Sequence, residues 1–258
     1  MDFLFGFLEN IIVLPILSFL IGIVYAAWKR HHFRSGRRKL LRFSEKDDKE
    51  LKDINCFTAN SGFYDENELA TLGYTFEYIA VGELRVAFKA LFKHIDISVK
   101  MSPNEYKDAH MRDLKSNLVL IGGPFHNCLT RELIFGGRFE FPFSYDEDAN
   151  LYYMRGTERE EVYHPRVADM QNKFFERDYA LIINIRNPRF PSRRLIALIG
   201  CRSVGCYGGA YFLSHKLYEL KKVIKDEEYA LVVRCECDEE DIISDPEFVK
   251  YYPLSSAS

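Results

Sequence analysis

Hydrophobic and polar residues divide the chain into an apolar N-terminal segment, a basic stretch and a long region of mixed pattern. Eighteen residues without a charge run from Ile11 to Trp28. As a helix rising 1.5 Å per residue they extend about 27 Å, close to the thickness of a bilayer core. This pattern predicts one transmembrane helix that anchors the protein through residues 1–28.

The charges that flank this segment predict its orientation. Asp2 and Glu9 precede the charge-free run, whereas residues 29–42 carry seven Lys or Arg and no acid. Positively charged flanks stay on the cytoplasmic side of a membrane. We therefore expect a single-pass protein of the inner or plasma membrane, with a basic neck and linker over residues 29–60 and a cytoplasmic α/β domain over residues 61–258.

Strand and helix patterns alternate in the rest of the chain. Continuous or alternating apolar residues predict strands at 95–101, 117–121, 179–185, 194–199 and 229–235. Apolar spacings of three and four predict helices at 82–92 and 208–221, and a polar helix is expected at 104–115. The region 136–178 predicts an inserted hairpin or lid. The expected fold class is α/β, a Rossmann-like, mainly parallel sheet with a β-rich insertion, preceded by one transmembrane helix.

Composition narrows the function classes. The net charge of the whole chain is −3, because the basic excess is confined to the stretch just after the apolar segment. This overall charge argues against general nucleic-acid binding, and no direct nucleic-acid binding is expected. The six cysteines face a reducing compartment under this topology, and their spacings do not form the usual zinc pairs. We expect them to be small apolar residues near buried strands, and we expect neither a metal site nor a required cofactor.

The first of two glycine-rich turns follows the predicted strand 117–121. Its candidate ligand contacts are Gly122, Gly123, Pro124, Asn127, Thr130 and Arg131. The glycines let a ligand approach the backbone, and Asn127 can cap a short helix whose N–H groups attract anions. The hydroxyl of Thr130 and the guanidinium of Arg131 can bind a phosphate or carboxylate.

The second turn follows the predicted strand 194–199. Its candidate contacts are Gly200, Arg202, Gly205 and Gly208. The GxxxxGxxG spacing is not a P-loop, because Lys-Ser/Thr is absent, and it is wider than the dinucleotide fingerprint. Ligands of open α/β sheets bind outside the carboxyl ends of strands, so two such turns favour a shared site. The alternative to a shared ligand site is that these glycines are needed only to turn the chain.

A resemblance rests on three segments: LVLIGGPFHNCLTREL, DYALIINIRNP and LIALIGCRSVGCYGGAYFL. Over residues 75–235 they resemble Rossmann-like modules of prokaryotic sensing and defence proteins, whose pattern pairs an IGGPxxNxxT turn with a later turn ending in Gly-Thr-x-x-Ala. Here Gly208-Gly209 replaces Gly-Thr and removes a hydroxyl. More loosely, the layout is similar to nucleotide-sensing modules of the SLOG, TIR and CARF kinds. The resemblance implies nucleotide sensing, including antiviral defence, without implying one activity.

We therefore expect a membrane-anchored, homo-oligomeric sensor or effector that binds a nucleotide-derived ligand. The alternative is an NAD- or nucleotide-hydrolysing enzyme of the glycosidase type, in which Glu83 stabilises an oxocarbenium ion. A favourable acid at a helix N-terminus also explains Glu83. A non-catalytic interaction scaffold is a further alternative. No GxSxG, HExxH or Cys/His pairing that would define another reaction occurs in the sequence.

Overall fold

The computed structural model describes residues 23–24, 26–27, 40–41, 53–58, 69–91, 96–136, 143–146, 151–156, 161–169, 174–236 and 245–254. The strands are β1 (Asp53–Thr58), β2 (Asp96–Met101), β3 (Asn117–Ile121), β4 (Phe143–Asp146), β5 (Leu151–Arg155), β6 (Val162–Tyr163), β7 (Arg166–Asp169), β8 (Phe174–Arg186), β9 (Arg194–Gly200), β10 (Tyr229–Glu236) and β11 (Glu247–Pro253). The helices are α1 (Leu69–Leu91), α2 (Met111–Leu114), α3 (Cys128–Thr130), continued by a π-helical turn (Arg131–Phe135), and α4 (Ser203–His215). Short 3-10 helices cover Tyr106–Asp108 and Leu217–Lys222.

The main sheet is mixed, which corrects the prediction of a mainly parallel sheet. Its strand order is β11–β10–β8–β9–β3–β1–β2, with β7 paired to β8. The pairs β9–β3, β3–β1 and β1–β2 are parallel, whereas every pair that involves β8 or β10 is antiparallel. A short loop, residues 187–193, joins β8 to β9. A parallel connection needs a crossover of about a dozen residues or more, so this loop makes a hairpin.

Both faces of the main sheet are covered, which explains the continuous apolar runs of its strands. Along β9, Ile196 and Leu198 face one core layer while their neighbours Leu195, Ala197 and Ile199 face the other. The first layer contains side chains of α1 and α4, and the second contains side chains of α2, α3 and the strands β5 and β6. The main sheet therefore lies between two buried core layers.

A small antiparallel sheet, β4–β5–β6, lies over the second core layer. Met154 of β5 is fully buried in that layer. Tyr163 of β6 and Tyr252 of β11 share a hydrogen bond of 2.8 Å, and the Tyr252 hydroxyl donates to the Glu161 carboxylate at 2.6 Å. These contacts attach the small sheet to the edge strand β11. The region 136–178 therefore contributes this sheet, β7 and the start of β8.

The predicted transmembrane helix requires a correction. Of its charge-free run, only Ile23, Val24, Ala26 and Ala27 belong to the described residues, and the rest lies outside them. Among the described residues no helix is both long and apolar enough to cross a membrane. The longest described helix, α1, has 23 residues but carries four charged side chains. We therefore correct the predicted fold class to a mixed α/β sheet without a transmembrane helix in the described part of the chain.

Residues assigned to the neck and linker contribute to the folded domain. Leu40 and Leu41, here called the N-terminal dileucine, are buried in the first core layer. Their carbonyl oxygens accept hydrogen bonds from the Asn184 amide at 3.4 and 3.1 Å, and the Tyr229 hydroxyl donates to Leu40 at 2.9 Å. Strand β1 lies within the predicted linker but pairs with both β2 and β3. The domain therefore includes residues N-terminal to position 61.

Candidate ligand site

The parallel pairing of β3 with β9 brings the two glycine-rich turns together. Because both strands end at the same edge of the sheet, Gly122 follows β3 beside the residues that follow β9. The Gly122 amide donates to the Leu198 carbonyl of β9 at 3.0 Å. Burial, and then the positive charge of Arg202 in the second turn, lower the pKa of His126 in the first turn.

This edge also contains the reversal point of the parallel strands. Strand β1 has β2 on one side and β3 on the other, so the order of strands reverses between β1 and β3. Ligands of open α/β sheets bind in the crevice at such a point. Here the side-chain Nδ2 atom of Asn127 donates to the carbonyls of Phe57 and Ile121, near the ends of β1 and β3, at 3.1 and 3.0 Å. Asn127 is completely buried and links the ends of these two strands.

Asn127 also caps α3, as the sequence predicts. Its side-chain oxygen accepts hydrogen bonds from the backbone N–H groups of Leu129 and Thr130 at 3.1 and 3.2 Å. The Thr130 hydroxyl donates to the Gly122 carbonyl at 3.1 Å and is buried. Gly122 has a φ of 104°, in the region that favours glycine. These side chains therefore shape the turn, and their polar groups already have partners inside the protein.

The other candidate contacts of the first turn lie nearer the surface. Gly123 and Pro124 are partly buried. The Arg131 side chain is 51% exposed and forms an ion pair of 3.4 Å with Glu132. Because an exposed pair of this kind is weak, the Arg131 guanidinium can exchange its partner for an external anion.

The second turn contains a residue that the sequence analysis did not identify, Asp178 of β8. This fully buried carboxylate accepts hydrogen bonds from the backbone N–H groups of Tyr179 at 2.8 Å, Arg202 at 3.1 Å and Gly205 at 2.6 Å. It therefore lies at the N-terminus of α4, where helix N–H groups attract negative charge. The sequence predicts that an anionic ligand binds at this helix start. In the structure, the Asp178 carboxylate of the protein itself occupies that position.

Burial dominates the ionisation of Asp178. Desolvation raises its pKa from 3.8 to about 6, although three N–H donors and the charge of Arg202 act in the opposite direction. Arg202 is thus the nearest cationic counterpart of this carboxylate in the second turn. The same carboxylate contributes to raising the pKa of the buried Cys201 thiol, after burial itself.

Close packing explains the glycines of the second turn. A Cβ atom at Gly200 would overlap the carbonyl of Arg202, and one at Gly205 would lie 2.8 Å from the Asp178 carboxylate. A Cβ atom at Gly208 would overlap the sulfur of Cys235 in β10. These glycines let α4 lie directly on the sheet. Their packing accounts for their presence without a ligand.

Aromatic side chains form part of the exposed surface of the site. The Phe125 ring stacks on Tyr152 of β5 with ring centroids 4.7 Å apart and planes inclined by 29°. The His126 ring meets the same tyrosine edge-on at 6.2 Å. Phe125 is 47% exposed. No local spacing in the sequence predicts this pair, because the contact joins the first turn to the small sheet.

Glu83 lies away from the two turns. It occupies the interior of α1, not a helix start, and its carboxylate lies 3.1 Å from the His215 Nε2 atom at the C-terminal end of α4. His215 lies seven residues beyond Gly208 and ten beyond Gly205 in α4, about 10 and 15 Å along the helix axis. The structure therefore does not bring Glu83 together with the other predicted site residues.

The described residues contain no group of three or more His, Cys, Asp or Glu side chains arranged to hold a metal ion. No protein-family model matches the sequence, and no curated protein is significantly similar to it.

Proposed function

We propose that the chain is a sensor or effector domain that binds a nucleotide-derived ligand at the edge where β3 and β9 end. The single observation that supports this most is the parallel β3–β9 pair, which brings both glycine-rich turns to one edge. This is the edge at which open α/β sheets bind ligands, and it includes the reversal point between β1 and β3.

The chemistry of the exposed groups also supports a ligand of this type. Phe125 presents an aromatic ring whose other face is supported by Tyr152. Arg131 presents a guanidinium that is half exposed, and Arg202 contributes positive charge beside His126. An aromatic ring can stack on a planar base, and a guanidinium can bind an anionic group attached to that base. The likeness of the sequence to sensing and defence modules is consistent with this proposal.

Calorimetric titration of the purified full chain with a panel of nucleotides, including NAD, tests the proposal. We expect saturable binding without turnover. Arg131→Ala and Arg202→Ala should each weaken binding about tenfold, the effect of losing one charge-assisted hydrogen bond. The matched control is Arg85→Ala, which removes an exposed arginine from α1. Unchanged affinity in both site variants would refute the proposed site.

The same titration separates the other functions. Product formation that Glu83→Gln abolishes would identify an enzyme with Glu83 as a catalytic residue. The absence of both binding and turnover would favour an interaction scaffold. Because Arg202 lies near the buried Asp178, thermal unfolding of Arg202→Ala must accompany its titration. Arg131 is exposed, so its variant measures binding without that complication.

A further inference from the structure

Two N–H groups at the start of α3, those of Leu129 and Thr130, are already bonded within the protein. The side-chain oxygen of Asn127 accepts from Leu129 and Thr130, and Asn127 is completely buried. A phosphate could reach these N–H groups only by displacing a side chain that also bonds to the ends of β1 and β3. Displacement would leave several buried polar groups without partners, which is strongly unfavourable.

At the start of α4, the N–H groups of Arg202 and Gly205 are likewise bonded, and to a negatively charged group. One oxygen of the Asp178 carboxylate accepts from Arg202 and Gly205, and the other accepts from Tyr179. A phosphate chain would have to displace this carboxylate or lie beside it. Like charges at short distance repel, and the low dielectric of a buried site strengthens that repulsion.

The largest exposed apolar group of the site is instead a stacked aromatic ring. Phe125 is 47% exposed and is held by Tyr152 on one face, so its orientation does not have to be established when a ligand binds. Aromatic platforms of this kind bind nucleobases by stacking. In the same turn, the exposed Arg131 guanidinium can bind one anionic group.

We infer that the ligand is recognised by a planar ring stacked on Phe125 and by a single anionic group, not by a di- or triphosphate chain. This inference rests on the proposed function and deepens it. It predicts that phosphates beyond the first contribute little, since Asn127 and Asp178 already accept from two N–H groups at each helix start.

The test is a calorimetric titration of the full chain with the nucleoside, 5′-monophosphate and 5′-triphosphate of each of the four ribonucleotide bases. Tripolyphosphate alone serves as the probe for a phosphate chain. For the preferred base, we expect the monophosphate and triphosphate affinities to agree within about tenfold, because exposed charge pairs contribute little. We also expect tripolyphosphate not to displace the bound nucleotide.

A triphosphate bound more than about tenfold more tightly, or displacement by tripolyphosphate, would overturn the inference alone. Absence of binding by every compound would overturn the proposed function and the inference with it. The stacking step has its own variant, because Phe125→Leu should weaken nucleoside binding at least about fivefold. Phe248→Leu, at an exposed position of β11, is the matched control and should change nothing. Equal affinities of the two variants would also overturn the inference.

Discussion

The buried carboxylate of Asp178 should make the stability of the domain depend on pH in an unusual direction. Most paired acids lose stabilising interactions when pH falls. Burial instead raises the pKa of Asp178 from 3.8 to about 6. Between these two values the folded chain binds a proton at this residue and the unfolded chain does not. The contribution of Asp178 to stability is therefore greatest at low pH and is lost as pH rises through about 6.

The magnitude follows from the two pKa values. A change from 3.8 to about 6 corresponds to about 3 kcal/mol between full protonation and full ionisation. Over the practical range from pH 8 to pH 4.5, about 2 kcal/mol of this contribution should be observed. Asp178→Asn removes the titration and retains an oxygen that can accept from Arg202 and Gly205, but its amide N–H₂ then faces the Tyr179 N–H.

The assay is denaturant unfolding of the wild type and Asp178→Asn at pH values from 4.5 to 8. The quantity that isolates Asp178 is the difference in free energy of unfolding between the two proteins. We expect wild type to gain about 2 kcal/mol relative to the variant as pH falls across this range. Asp108→Asn, at an exposed position, controls for the loss of one negative charge. A difference that is flat with pH, or that shrinks as pH falls, would refute the reasoning.

Three further predictions concern packing and capping, and each is measured by denaturant unfolding. Gly208→Ala should destabilise the domain by about 2 kcal/mol or more, because the added methyl group overlaps the Cys235 sulfur. In Gly82→Ala the added methyl group meets no atom within 4 Å, so this variant should stabilise α1 by about 0.5–1 kcal/mol. Equal effects of the two variants would contradict this prediction. Asn127→Ala should cost about 3 kcal/mol or more, since it leaves four bonded backbone groups without their partner, and a cost below about 1 kcal/mol would contradict it. Tyr229→Phe removes the hydroxyl that bonds to the N-terminal dileucine and should lower the free energy of unfolding by about 1 kcal/mol. It should also speed tryptic cleavage at the basic residues that flank the dileucine, and unchanged cleavage would contradict this prediction.

Buried strands were the most predictable part of the fold. The apolar run at 117–121 coincides with β3, and the runs at 194–199 and 229–235 differ from β9 and β10 by one residue each. These runs are apolar because both faces of the strands are covered. Strand direction was predicted wrongly, although the short connection between β8 and β9 carries the necessary information, since seven residues cannot form a parallel crossover.

Helix starts were less predictable than helix interiors. Gly82 marks the predicted start of a helix at 82–92, but α1 begins at Leu69 and passes through this glycine. Gly82 lies on an exposed face, where the absence of a side chain costs only helix propensity. The strand β1 was missed because its sequence DINCFT includes polar residues that find partners only in the folded protein. Asn55, for example, donates to the Ser116 hydroxyl at 2.8 Å.

The role of the glycine-rich turns shows where local pattern stops being informative. The sequence predicts a turn, a cap at Asn127 and N–H groups that favour an anion at each helix start, and these features are the same whether the anion is a ligand or part of the protein. Asp178 comes 22 positions before Gly200, and only the antiparallel pairing of β8 with β9 brings its carboxylate to the start of α4. A carboxylate in a buried strand can therefore accept hydrogen bonds from the start of a neighbouring helix. Such a helix start is assigned to a phosphate only after a carboxylate of the protein has been excluded. In this domain, Phe125 and Arg131 are exposed side chains of the first turn, and neither contributes to the bonds that fill these helix starts with groups of the protein.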